Sequence, residues 1–225
     1  MEFGYGFQMN LVDFDQHFPI DKRLKLDPES LKTAIGASRT HPRVECLDIS
    51  SCGIDDASIA AVCTWIVNGN FLVLKALNLS MNFIGSRGWK ILSHYLRAGT
   101  CFQELVMLNI QHNAQPGCSA VVMAVTSALP RSAQVAERLG LYKMASFRRK
   151  YKRDDDVQMP FASLEILICS FDLDDSLILE RQISDGRFPS LRRLQMPSGF
   201  YLDMDGRIRR AVCALERTMN SQMSK

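Results

Sequence analysis

"LKALNLSMNFIG", residues 74–85, is the stretch from which the fold can be read. It sets aliphatic side chains at Leu74, Leu77, Leu79 and Ile84, with an asparagine at Asn82. "VECLDISSCGID", residues 44–55, repeats those offsets with Val44, Leu47, Ile49, Ile54 and Cys52. "LVMLNIQHN", residues 105–113, repeats them again with Leu105, Leu108, Ile110 and Asn113. The central leucines stand 30 and 31 residues apart. Two aliphatics separated by one residue share a face of a short strand, because successive strand side chains point to opposite faces. The next aliphatic then turns the chain over the same core.

After each strand the apolar spacing becomes helical: Ile59, Val62, Cys63 and Ile66; then Ile91, Leu92, Tyr95 and Leu96; then Val121, Val122, Val125 and Leu129. Farther on the pattern thins. Leu164, Leu167 and Cys169 keep the strand half of the unit, as do Leu191, Leu194 and Met196, 27 residues later. Asp172 falls where the asparagine would stand after Leu167. The 59 residues from Leu108 to Leu167 span two periods, which predicts a degenerate unit with its strand at Leu139 and Leu141.

The word L-x-x-L-x-L-x-x-N/C-x-L is that of a leucine-rich repeat. A strand plus a full helix at this period resembles the ribonuclease-inhibitor-like subfamily, with Gly88 where the loop enters its helix. The resemblance implies an α/β solenoid of about five to six repeats, a curved parallel sheet inside and helices outside, degenerate in its C-terminal half. It also implies that Cys52, Asn82 and Asn113 form a turn ladder bonding neighbouring backbone groups, where an unpaired interior donor costs about 1–3 kcal/mol. The expected divisions are 1–43, an N-terminal extension and capping helix; 44–130, three regular repeats; 131–160, a degenerate repeat with a basic/acidic insertion; and 161–225, two irregular repeats and a C-terminal capping helix. Asp27-Pro28-Glu29 starts the first cap, with Leu31 and Ile35 on its apolar face. Ile208, Val212, Leu215 and Met219 share one face of the last.

With 47% hydrophobic residues, 23% charged residues and a net charge of +3 over 225 residues, the chain has material for a sizeable core and no strong overall field. Seven scattered cysteines without a C-x-x-C pair disfavour a disulfide framework or a zinc site. No targeting segment and no membrane-spanning apolar run is read. The expected location is cytoplasmic, with a cytoskeletal assembly as the narrower form.

The residues alternating with the leucines should line the concave face as a partner surface: Asp48 and Ser50, Asn78 and Ser80, Met107, Asn109 and Gln111, then Ile166, Ile168, Arg193 and Gln195. Met107, Ile166 and Ile168 are apolar there, which implies either a covered patch or a shifted register in the fourth unit. Lys143, Arg148, Arg149, Lys150, Lys152 and Arg153, interleaved with Phe147 and Tyr151, form a candidate basic contact for RNA or an acidic surface, or a solvated loop balanced by Asp154, Asp155 and Asp156.

Reactive constellations are scarce. The four histidines stand apart, no nucleophile elbow or phosphate loop is spelled, and the acidic groups at 172–175 and 203–206 read as helix caps. The expectation is a non-enzymatic protein-interaction module, a scaffold or structural subunit, with no cofactor, metal, membrane or small-molecule substrate. Two alternatives stand beside it: a small-GTPase regulator resembling the Ran GTPase activator, with Arg87 as the group near a nucleotide, and an RNA-associated subunit using residues 143–153.

Overall fold

The computed structural model describes residues 17–37, 40–98, 102, 104–128, 161–170, 173–195 and 201–203. The basic run 143–153, the strand expected at Leu139 and Leu141, and the helix expected over Ile208–Met219 lie outside them, as do residues 1–16.

Strands and helices alternate: β1 (Arg23–Lys25), α1 (Pro28–Gly36), β2 (Cys46–Asp48), α2 (Ile59–Trp65), β3 (Ala76–Asn78), α3 (Ser86–Ala98), β4 (Met107–Asn109), α4 (Cys118–Ala128), β5 (Ile166–Ile168), α5 (Leu173–Ser184), β6 (Arg193–Gln195) and β7 (Tyr201–Asp203). The seven strands form one α/β sheet in chain order. β1 to β6 pair in parallel, and β7 closes the edge antiparallel to β6. Each parallel step needs a crossover long enough to hold a helix, and the intervals between paired residues, from 23 (Arg23 to Cys46) to 59 (Met107 to Ile166), supply it.

Register follows the leucines. Leu47 lies opposite Leu77, Leu77 opposite Leu108, Leu108 opposite Leu167, and Leu167 opposite Leu194. All five point into the main core, joined by Ile49, Leu79, Ile110 and Cys169 from two positions on. Helix residues Leu31, Ile59, Trp89, Val121 and Leu179 belong to the same cluster, so the core lies between the sheet and one helical layer. β4 pairs directly with β5, which corrects the expectation of an intervening strand at Leu139 and Leu141.

A second row of core residues lies three positions before Leu74, Leu105, Leu164 and Leu191. Phe71, Phe102, Phe161 and Phe188 are all buried there, and Phe161 stacks on Phe188 with ring centroids 6.0 Å apart. His41 holds the corresponding place before Val44 and stacks on Phe71 at 5.4 Å. The backbone repeats with it: Leu105 N, Leu164 N and Leu191 N donate to the carbonyls of Phe102, Phe161 and Phe188, as Val44 N does to that of His41.

Local signals place the helices. Asp27 caps α1, its Oδ1 accepting from Ser30 N at 2.8 Å, with Pro28 at the first helical position. Asp55 precedes α2 and accepts from Ala57 N, Ser58 N and Ser58 Oγ. α2 runs on into a π-helical turn, Ile66–Asn70.

Candidate functional site

The carboxyl ends of the strands are built by a ladder of side-chain amides. Asn82 Oδ1 accepts from Cys52 N and Ile54 N, both at 3.0 Å, while Nδ2 donates to Ile49 O, Leu79 O and Ser80 O at 3.0–3.2 Å. Asn113 repeats the reach one unit on, accepting from Ile84 N at 3.2 Å and donating to Leu79 O, Ile110 O and Gln111 O. Cys52 stands in the first such position, with its Sγ–H directed to Leu26 O at 3.2 Å. Burial, reinforced by Asp48 and Asp27, pushes that thiol up to about 11. The residue before each of these three, Ser51, Met81 and His112, takes left-handed backbone with φ of 52–57°. The chain is thereby turned out of the sheet at the same point in these three units.

A second support joins neighbouring units near the helix starts. Asp56 Oδ1 accepts from Gly85 N at 2.7 Å and Gly88 N at 2.8 Å, at the start of α3. A Cβ on Gly88 would lie 2.5 Å from that oxygen and 2.7 Å from Ile84 Cγ2, so only glycine fits.

At the opposite ends of the strands, Lys22, Glu45 and Lys75 stand in line across β1 to β3, and Glu45 bridges both lysines. The hydrogen bonds from Lys22 and Lys75 hold its carboxyl below the usual range.

The inner face of the sheet differs from the expected open surface. The alternating residues do share that face, but Asn78, Ser80, Met107, Asn109, Gln111 and Ile168 are buried, and only Asp48, Ser50 and Ile166 are part-exposed. Two causes are visible. Cys46, Ala76, Met107 and Ile168 form a second hydrophobic cluster with Phe18, from the turn leading into β1. The polar residues are spent on the strand ends: Asp48, Asn78 and Asn109 accept from the backbone N–H of Ser50, Ser80 and Gln111 respectively. β5 is in register with β4, so the apolar inner residues belong to a covered patch and not to a shifted strand. Arg193 and Gln195 lie in β6, and their side chains are outside the described residues.

Exposed apolar side chains stand at Ile20, Leu72, Val73 and Leu177 and, as a pair, on the carboxyl rim. Met81 and Phe83, either side of Asn82, are 61% and 68% exposed. Phe83 borders a groove of about 600 Å³ with Asp55, Asp56, Ala57, Ala60, Arg87 and Ile91. Asp55 is held ionised by the Ser58 hydroxyl and then the Ser58 amide. Arg87 is exposed and has no ion pair among the described residues. A sequence signal for this rim exists: the residue after the ladder position is Gly53, then Phe83, then Ala114, so one bulky aromatic stands between two small neighbours.

Among the described residues there is no cluster of histidine, cysteine or carboxylate side chains able to hold a metal ion, and no helix long and apolar enough to cross a membrane. Neither a protein-family model nor a curated protein matches the chain.

Proposed function

We propose that the chain is a leucine-rich repeat solenoid of the ribonuclease-inhibitor-like kind, acting as a non-enzymatic module that holds a protein partner on the carboxyl rim of its strands. The in-register leucines and the ladder of Asn82 and Asn113 support the solenoid reading. The observation that carries the function is the pair Met81 and Phe83, two large apolar side chains held out to water beside a groove. The fold needs the backbone there, since Phe83 N donates to Ile54 O at 2.7 Å, but makes little use of the ring. Burying an exposed aromatic on a partner contributes about 1.5–3 kcal/mol, and such residues anchor interfaces.

Arg87 shares its groove with two carboxylates, so a nucleotide polyphosphate approaching it meets Asp55 and Asp56 as well. That electrostatic mixture suits a protein surface better than a nucleotide. The test compares native complexes recovered with the wild-type chain and with Phe83→Asp after cross-linking in cells. A defined set of proteins lost with the variant is the expected result. Recovery of the free chain alone, or of identical sets with both, refutes the proposal.

A further inference from the structure

The rim groove has the makings of a self-complementary surface, and we infer that its occupant is the same groove on a second copy of the chain. This rests on the rim being a docking surface. A two-fold contact joins one patch to itself, so the patch must carry both halves of every interaction it makes. This one does. It has a knob, Phe83, 68% exposed, and a hollow of about 600 Å³ beside it lined by Ala57, Ala60 and Ile91. It has a cation, Arg87, on α3, and an anion, Asp55, on the loop entering α2.

The charges are placed to be used across the contact. Asp55 is bound only to its own turn through Oδ1, accepting from Ala57 N, Ser58 N and Ser58 Oγ, and no cation pairs with it among the described residues. Arg87 likewise has no ion pair among the described residues, although Asp55 and Asp56 line the same groove. A two-fold axis through the patch sets each Phe83 ring in the partner's hollow and each Arg87 against the Asp55 of the other copy, giving two symmetry-related ion pairs around two apolar plugs. The neighbouring units lack the knob, carrying Gly53 and Ala114 at the matching position, so the pairing has one register.

Sedimentation velocity over a micromolar concentration series tests this on the full chain. The wild type is expected to pass from monomer to dimer, while Phe83→Asp and Arg87→Asp each weaken dimerisation at least about tenfold with unchanged circular dichroism. Mixing Arg87→Asp with Asp55→Arg sets opposite charges at both contacts of a mixed dimer, whereas each variant alone sets like charges at both, so the mixture should dimerise where neither variant does alone. If loss of the Asp55 turn bonds unfolds the second variant, Phe83→Asp and Arg87→Asp decide the matter between them. A wild type that stays monomeric throughout, or a dimer indifferent to both substitutions, overturns the inference. A monomer whose protein partners are still lost with Phe83→Asp sinks self-pairing alone and leaves the rim as a docking surface. A dimer lost with Phe83→Asp while the other partners are retained sinks only the hetero-partner reading.

Discussion

Replacing Asn82 by alanine should remove a large fraction of the stability of the chain, and the structure sets the size of the loss. The side chain is 3% exposed and its carbonyl is the acceptor for two amides, Cys52 N and Ile54 N. Alanine leaves both without a partner in a dry interior, at about 1–3 kcal/mol each. The two Nδ2 hydrogens serve three carbonyls, so their loss weakens sites with other donors in reach and adds less. The total loss is about 3–5 kcal/mol, against about 5–15 kcal/mol for a whole folded domain. Asn113→Ala is the internal control: it orphans one amide, Ile84 N, at a longer 3.2 Å, and should cost about half as much. Urea unfolding monitored by circular dichroism reads both. With a slope near 2 kcal/mol/M, Asn82→Ala should lower the midpoint by about 2 M at unchanged slope. A loss below about 1 kcal/mol for Asn82→Ala, or a larger loss for Asn113→Ala, would refute the hydrogen-bond account of the ladder.

Gly88→Ala should destabilise by about 1–3 kcal/mol even though alanine is the better helix former, because the new Cβ displaces Asp56 Oδ1 from Gly85 N and Gly88 N; a gain in thermal midpoint would contradict this. Glu45 has a lowered carboxyl value, so its contribution is full above its unfolded value and fades as pH falls through the folded one. Glu45→Gln should therefore be less stable than wild type at neutral pH, with the gap closing in acid; a gap independent of pH excludes the two lysines as its source. Cys52, its thiol raised to about 11, should resist alkylation at pH 8 until urea opens the fold, and mass spectrometry of the native protein finding it modified as fast as a free thiol would exclude that. Phe71→Ala should cost about 3–5 kcal/mol by emptying a fully buried ring site, and a smaller loss would show that His41 and Trp65 collapse into it.

How much of the fold is legible in the sequence depends on how many inward residues each element contributes. Leu47, Leu77 and Leu108 come with aliphatic partners two residues on, and the strands they mark pair in that register. β1 carries one inward residue, Leu24, between Arg23 and Lys25, too few to show a period, so by sequence it merges with an N-terminal extension. β7 runs against its neighbour, so no repeat spacing announces it. The phenylalanine row is written in plain form as F-x-x-L before four leucines, and a pattern that starts at the leucines passes over it. Burial of the inner face cannot come from alternation alone: alternation says which face Asn109 and Gln111 share, whereas the material lying against that face depends on distant segments such as Phe18.

The amide ladder also fixes an order of events at the ribosome. Asn82 completes backbone groups at Ile49, Cys52 and Ile54, which precede it by 28 to 33 residues. Asn113 does the same for Leu79 and Ile84. Each strand and its turn are therefore left with open amides until the next asparagine has emerged, so the nascent chain settles one repeat behind the point of emergence. A truncation just short of Asn82 would leave a strand and turn whose leucines are all present but whose donors at Cys52 and Ile54 have lost their acceptor.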